Sequence, residues 1–218
     1  VGLAVAAAGC ATRLSRRPAT AAETAAIVAR WETFRQAVLA RPAAELFYDA
    51  RARRSIFSTS GVAAVRDDPG RSLTVVLEGP AGLALARASW DGARTVVRRA
   101  GDPRDDREFE GDAPLTPLGI PLSAPSLSLL LFGLPDASPP ESVELAGATP
   151  WLSWRGGALS CELDPSGRAR RVVSLDGRRR VEIRFPEWSG GIPSRIRIDA
   201  AHGGRADLAL RGDAGGGT

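Results

Sequence analysis

Between Thr20 and Pro42 the apolar residues Ile27, Trp31, Phe34 and Val38 recur three or four positions apart, with Arg30, Glu32 and Arg35 on other faces. That spacing predicts an amphipathic α-helix. Thr20 followed three residues later by Glu23 is a capping-box pattern, and Pro42 stops the run. From Glu45 onward the period becomes two. ELFYDARARRSI, SGVAAV, RSLTVVLE, LALARAS and TVVRRA are punctuated by DDPG, EGPAG and DGAR, which predicts antiparallel strands with a hairpin at Asp91-Gly92. In the C-terminal third ALSCELD, RARRVVSL, RRRVEIRF, SRIRIDA and RADLAL continue the meander. No strand–helix alternation points to a parallel sheet.

The faces of these strands carry the functional information. Leu73, Val75 and Leu77 alternate with polar or outward positions, as do Val181, Ile183 and Phe185, Ile196 and Ile198, and Leu208 and Leu210. One side of the sheet is therefore apolar and the other charged. A meander of this length curls, and its apolar face has to be covered. Either the sheet closes into a packed barrel, or it stays partly open and holds an apolar ligand. A second helical piece, Ser126 to Phe132, lies between Pro125 and Gly133-Leu134-Pro135. Its Leu127, Leu130 and Leu131 share one side, which suits either a lid over the opening or a core helix of a closed barrel.

Composition narrows the chemistry. The chain of 218 residues is 44% hydrophobic and 25% charged, the balance of an ordinary globular protein. All 29 basic residues are Arg, yet the net charge is only +4 because acids are interspersed. The clusters Arg51–Arg54 and Arg178–Arg180 lack interleaved stacking aromatics, so no nucleic-acid partner is expected. One histidine, His202, and two cysteines give no metal-ligand set. Cys161 alternates with Leu159 and Leu163 on one strand face and reads as a buried apolar residue, although a bridge to Cys10 is possible. A chain without Lys has no Schiff base and no Ser-Lys dyad. The acidic run from Asp102 to Asp112 lacks calcium-loop spacing and reads as a solvated loop. Trp151 and Trp154 read as strand or rim aromatics. Neither catalysis nor a cofactor is expected.

GIPLSAPSLSLLLFGLP, from Gly119 to Pro135, resembles a segment of the LolB-type outer-membrane lipoproteins. EGPAG resembles the Pro-Leu-Gly loop of that family, and the order of cysteine, tether, helix, strands and loop is similar as well. The resemblance implies a mainly β fold with two or more helices: a half-open antiparallel β-barrel with a helical plug or lid over an apolar cavity. It implies that acyl chains of lipoproteins arrive from a periplasmic LolA-like carrier and pass to the outer membrane of a Gram-negative bacterium. The cavity is then expected to be lined by Leu73, Val75, Leu77, Leu85, Val181, Ile183, Phe185, Ile196 and Ile198, with Leu127, Leu130 and Leu131 on the lid. The membrane-insertion loop is Gly79, Pro80, Ala81, Gly82 and Leu83. Where the family places a protruding Leu this chain has Ala81, with Leu83 two residues on.

The opening stretch VGLAVAAAGC fits the same frame. Gly2 to Ala8 reads as the short apolar region of a signal peptide, and Ala7-Ala8-Gly9-Cys10 as a lipobox with Ala7 where Leu is usual. Residues 1–9 are thus expected to be a signal-peptide remnant, 10–19 a tether lipidated at Cys10, 20–211 a single domain and 212–218 a flexible tail. A free surface cysteine is the alternative for Cys10. A monomer is expected. Besides the LolB-like role, two others share the fold: a structural or interaction lipoprotein with a filled core, and a carrier or sensor of another amphiphile.

Overall fold

A computed structural model describes residues 15–54, 57–79, 82–99, 106–110, 122–176, 179–200 and 204–211. The chain begins with a short strand, β1 (Arg16–Pro18), and the helix α1 (Ala21–Leu39). Six strands follow: β2 (Ala44–Arg54), β3 (Phe57–Asp68), β4 (Ser72–Glu78), β5 (Ala84–Trp90), β6 (Arg94–Arg99) and β7 (Arg107–Glu110). After helix α2 (Ala124–Leu131) come β8 (Ser142–Ala146), β9 (Thr149–Trp154), β10 (Leu159–Leu163) and β11 (Ala169–Asp176). The last three are β12 (Arg179–Ser189), β13 (Ile192–Ala200) and β14 (Gly204–Leu210).

The described strands form one antiparallel sheet in the order β1-β8-β9-β10-β11-β12-β13-β14-β2-β3-β4-β5-β6-β7. Two meanders are joined where the last strand meets β2, with Leu208 opposite Ala50 and Gly204 opposite Arg54. The edges are β1 and β7, of three and four residues, and they are not paired with each other. The sheet is an open barrel. Short edges leave few unpaired backbone groups for a stray strand.

Register separates the faces. Leu152, Cys161, Val172, Ile183, Ile198, Ala206 and Ala52 lie opposite one another across seven strands and form an inward row. One position away Trp151, Glu162, Arg171, Arg184, Arg197, Asp207 and Arg51 form an outward row. Outside, Glu182 pairs with Arg180 at 3.0 Å and Arg184 at 2.7 Å, and Asp207 with Arg195 at 3.0 Å. Exposed pairs of this kind are worth about 0–1 kcal/mol each. They keep the outer face soluble, while the inner face supplies the stability.

The inner face is covered by the helices. Thr20 Oγ1 accepts the Glu23 N–H, and the Glu23 carboxylate accepts the Thr20 N–H at 2.8 Å, closing the expected capping box. Ile27, Trp31 and Val38 are buried. Trp31 meets Trp154 of β9 edge-on at 5.7 Å, and Phe34 meets Trp188 of β12 at 5.9 Å. These aromatic contacts bridge α1 to two separated strands. Helix α2 starts at the Ser123 cap and has Leu127, Ser128, Leu129, Leu130 and Leu131 all buried. A helix apolar on every side belongs inside. It contacts the adjacent strands β4 and β5 and also β13, which β14, β2 and β3 separate from β4, so the sheet curls around it. It is a plug rather than the one-sided lid that Leu127, Leu130 and Leu131 alone describe.

Other expectations shift at the edges. Arg16–Pro18, inside the stretch expected to be a tether, pairs with β8. Arg107–Glu110, inside the acidic run expected to be a loop, pairs with β6, aided by Arg94–Glu108 at 3.3 Å and Arg98–Asp106 at 3.5 Å. Interleaved charges satisfied across strands are what the alternation there encodes.

Just beyond the plug, Gly133 has φ +73° and its α-carbon faces the indole of Trp188 so closely that a β-carbon would run into the ring. Left-handed backbone costs about 1–2 kcal/mol for an L-residue before any clash. Gly133→Ala is therefore expected to lower unfolding stability by roughly 2–4 kcal/mol in a denaturant titration, with Trp188 fluorescence altered.

Candidate functional site: the apolar interior

Antiparallel pairing puts the C-terminal ends of β2, β4, β9, β11 and β13 at one end of the sheet, and those of β3, β5, β8, β10 and β12 at the other. The plug sits at the second end. Ser128 reaches Asp67 and Gly70 at the β3–β4 turn, and Gly133 abuts Trp188 late in β12. Arg41, just after α1, donates to the carbonyls of Gly190 and Gly191 in the β12–β13 turn at 3.2 and 3.1 Å. That end is shut.

At the first end cover is thinner. Ala50, Ala206, Leu208 and Leu77 are half-buried and Ala52 is exposed, although all lie on inward rows. The residue types differ around the sheet as well. From β10 to β13 the inward positions hold Cys161, Val172, Ile183 and Ile198, whereas on β14, β2, β3 and β5 they hold Ala206, Ala50, Gly61 and Ala88. Small side chains at these positions thin part of that wall, although Leu208, Tyr48, Val65 and Trp90 also point inward from the same strands. Gly61 lies so near the Glu78 carbonyl that a β-carbon would collide with it, so this wall also closes tightly on β4. The interior is a cup, plugged at one end, with its thin-walled part least covered at the other.

Most expected lining residues are where the alternation puts them. Leu73, Val75, Val181, Ile183, Phe185, Ile196 and Ile198 are buried in one apolar cluster with Leu127, Leu130 and Leu131 of the plug, and Leu77 packs partly buried at its margin. Leu85 is a correction. Along β5 the inward positions are Ala86, Ala88 and Trp90, with Ala86 opposite Leu77, so strand alternation puts Leu85 on the outer side, 48% exposed. A side chain one position off the inward row points to the opposite face. In the expected insertion loop, Gly79 is buried beneath Leu85, Gly82 is exposed and Leu83 is 69% exposed. Pro80, Ala81, Cys10 and His202 lie outside the described residues. The alanines of the thin wall were not singled out from sequence; their signal is small residues between charges, as in Arg51-Ala52-Arg53 and Arg205-Ala206-Asp207.

Two grooves complete the surface. One, of about 780 Å³, lies on the outer face around Trp151, Ser160, Glu162 and Arg171, where the Arg16 guanidinium covers the Trp151 ring at 3.7 Å. The other, about 520 Å³, separates the first half of α1 from the β8–β9 turn over Ile27, Leu145 and Pro150. The second is a gap between helix and sheet. Cys161 is buried, and burial pushes its thiol well above its ordinary range, which leaves it an apolar packing residue. Among the described residues no group of three or more His, Cys, Asp or Glu is gathered in a way that could hold a metal, and no helix is long and apolar enough to cross a membrane.

Solved structures of little sequence likeness share this fold. A LolA superfamily protein from Nitrosomonas europaea superposes with a TM-score of 0.57 over 85% of this chain and 90% of its own, at 11% identity. The fold is LolA-like. A DUF1329 family protein from Desulfovibrio piger matches equally well, with a TM-score of 0.57 over 89% of this chain and 94% of its own, at 12% identity. No protein-family profile matches the sequence, and no curated protein does.

If the thin wall is the part of the LolA-like cup that admits a ligand, filling it should close the cup without unfolding it. Ala206→Trp is expected to weaken binding of a fluorescent fatty-acid probe at least tenfold, with circular dichroism unchanged. Ala64→Trp, on the outward side of β3, should bind as the wild type does.

Proposed function

We propose that this chain is a lipid-handling envelope lipoprotein that takes acyl chains into its interior, accepts lipoproteins from a periplasmic LolA-like carrier and delivers them to the outer membrane of a Gram-negative bacterium. The observation that carries this reading is a sheet whose apolar inner face is closed by helices rather than by its own edges, and whose thin wall is incompletely covered. Each methylene moved from water into such a cup gains about 0.8 kcal/mol. A carrier must also release its cargo, and an open barrel with a separate plug allows release in a way that a sealed barrel does not.

The surroundings of the opening support the membrane step. Leu83 and Leu85 are exposed at the end of the sheet where the thin wall lies, and Leu175 is exposed at that end on β11. Arg51, Arg180 and Arg205 lie near the same end. In this reading Leu83 takes the part that Ala81 is too small to play, and apolar tips among arginines contact an anionic lipid surface. A chain lipidated at Cys10 would hold the cup near that surface, since several acyl chains anchor stably where one is marginal.

One observation favours a second reading, a structural lipoprotein with a filled core. Phe132, Leu134, Leu152 and Trp154 fill much of the interior with almost no exposed surface. Native mass spectrometry of protein extracted from its own membrane separates the two. The carrier reading predicts one or more bound acyl-chain lipids that leave on activation, together with lipoproteins accumulating in the inner membrane when the protein is depleted. Lipid-free protein with normal lipoprotein sorting would establish the second. Bound lipid with normal sorting would make the chain a carrier of another amphiphile. Metabolic labelling with a clickable fatty acid, lost in Cys10→Ser, is the expected sign of the anchor.

A further inference from the structure

The apolar inner face contains an acid exactly one hydrogen bond away from the plug's own hydroxyl. Asp67, near the end of β3, is fully buried on an inward row between Ala44 of β2 and Leu73 of β4. Ser128, the one polar side chain within the buried run from Leu127 to Leu131, donates to Asp67 Oδ1 at 2.6 Å and accepts the Gly70 N–H at 3.0 Å. Asp67 Oδ2 has no hydrogen-bond partner among the described residues. Leu39, the last residue of α1, comes close to Gly70 beside Leu129.

The charged groups around Asp67 give its ionised form little support. On its own strand Asp68 is a second acid, and Arg71 in the turn is directed to Asp68 at 3.6 Å. From β2 comes Tyr48, buried, with its hydroxyl lacking a partner among the described residues and its ionisation pushed up by burial and by Asp67. From α2 comes Ser128 alone. A buried acid with one hydroxyl partner is tolerated as the neutral acid and is costly as the anion.

We propose that the Asp67–Ser128–Gly70 contact is the latch of the plug, and that loss of the Asp67 proton to solvent frees α2 from the inner face. This rests on the reading of α2 as the movable cover of a lipid-holding interior. Lifting α2 gives up the Ser128 hydrogen bonds and lets water reach the carboxylate, so opening and deprotonation favour each other. Burial, the dominant cause, with a smaller contribution from Asp68 and against the Ser128 bond, pushes the closed-state pKa up to about 7. In water the same acid titrates near 4. Between these values the closed form holds the proton and the open form does not, so closure is favoured at low pH and loses that advantage as the pH rises through about 7. The three-unit gap limits the shift to about a thousandfold.

The test follows α2 without any ligand. Hydrogen exchange of the Leu129–Leu131 amides, corrected for the intrinsic rate, is compared at about pH 5.5 and about pH 8.5, with the Asp67 carboxyl carbon titrated by NMR. The latch predicts protection falling by about thirtyfold in the wild type between these pH values, no more than about twofold in Asp67→Asn, and a carboxyl midpoint near 7. Ser128→Ala should lower protection at both pH values and retain the pH step. Protection that does not change with pH, or a carboxyl midpoint near 4, overturns the latch. Because no lipid is added, a plug that opens with pH in a protein that binds no acyl chain would refute the carrier reading and leave the latch standing.

Discussion

An antiparallel sheet with one apolar face cannot leave that face in water, and this sheet does not use its own edges to cover it. The whole molecule follows from that constraint. Fourteen described strands curl around a single buried turn-and-a-half of leucines, and α1 lays tryptophan and phenylalanine across what remains. Leu127, Leu129, Leu130, Leu131 and Leu134 each remove a side chain from water, worth about 1.5–3 kcal/mol apiece. The charged outer face adds little by comparison.

The division of labour within the sheet is what makes the interior interesting. Strands β10 to β13 offer branched and aromatic side chains and pack as a core. Strands β14, β2, β3 and β5 offer alanine and glycine at Ala206, Ala50, Gly61 and Ala88 beside larger inward residues such as Leu208 and Tyr48, and part of that wall is not fully covered by the described residues. Under the proposed carrier function, a cup plugged at one end and thinly walled at the other needs a moving part to take up and release a long chain. Helix α2 is the candidate, since among the described residues its only polar contact with the sheet wall runs through Ser128, Asp67 and Gly70.

Much of this was legible in the sequence because alternation records one-sidedness directly. Val181, Ile183 and Phe185 could only be an inward row, and the capping box of Thr20 and Glu23 fixed the start of α1. What was not legible depended on partners far away in the chain. Whether β14 pairs with β2 is decided by closure, not by either segment alone. Leu85 is off its expected row because Ala86, not Leu85, falls opposite Leu77 across the β4–β5 pair. Arg107–Glu110 looks like a loop until β6 supplies the opposite charges. Asp67, in the turn-like DDPG, shows its burial only once Ser128 is set above it. The Leu-rich segment ending in Gly-Leu-Pro was recognised as helical, but its burial on every side needed the curled sheet.

The central claim is that acyl chains enter the interior along the thin wall. A stearate carrying a nitroxide spin label, added to isotope-labelled protein, tests it most directly by broadening amide signals within about 15–20 Å of the bound label. The account predicts selective broadening at Ala50, Ala206 and Leu208, then at Leu127 and Leu130, with the outward Arg184 and Glu182 affected less. Broadening centred on the outer groove at Trp151 and Ser160, or none at saturating probe, would contradict it.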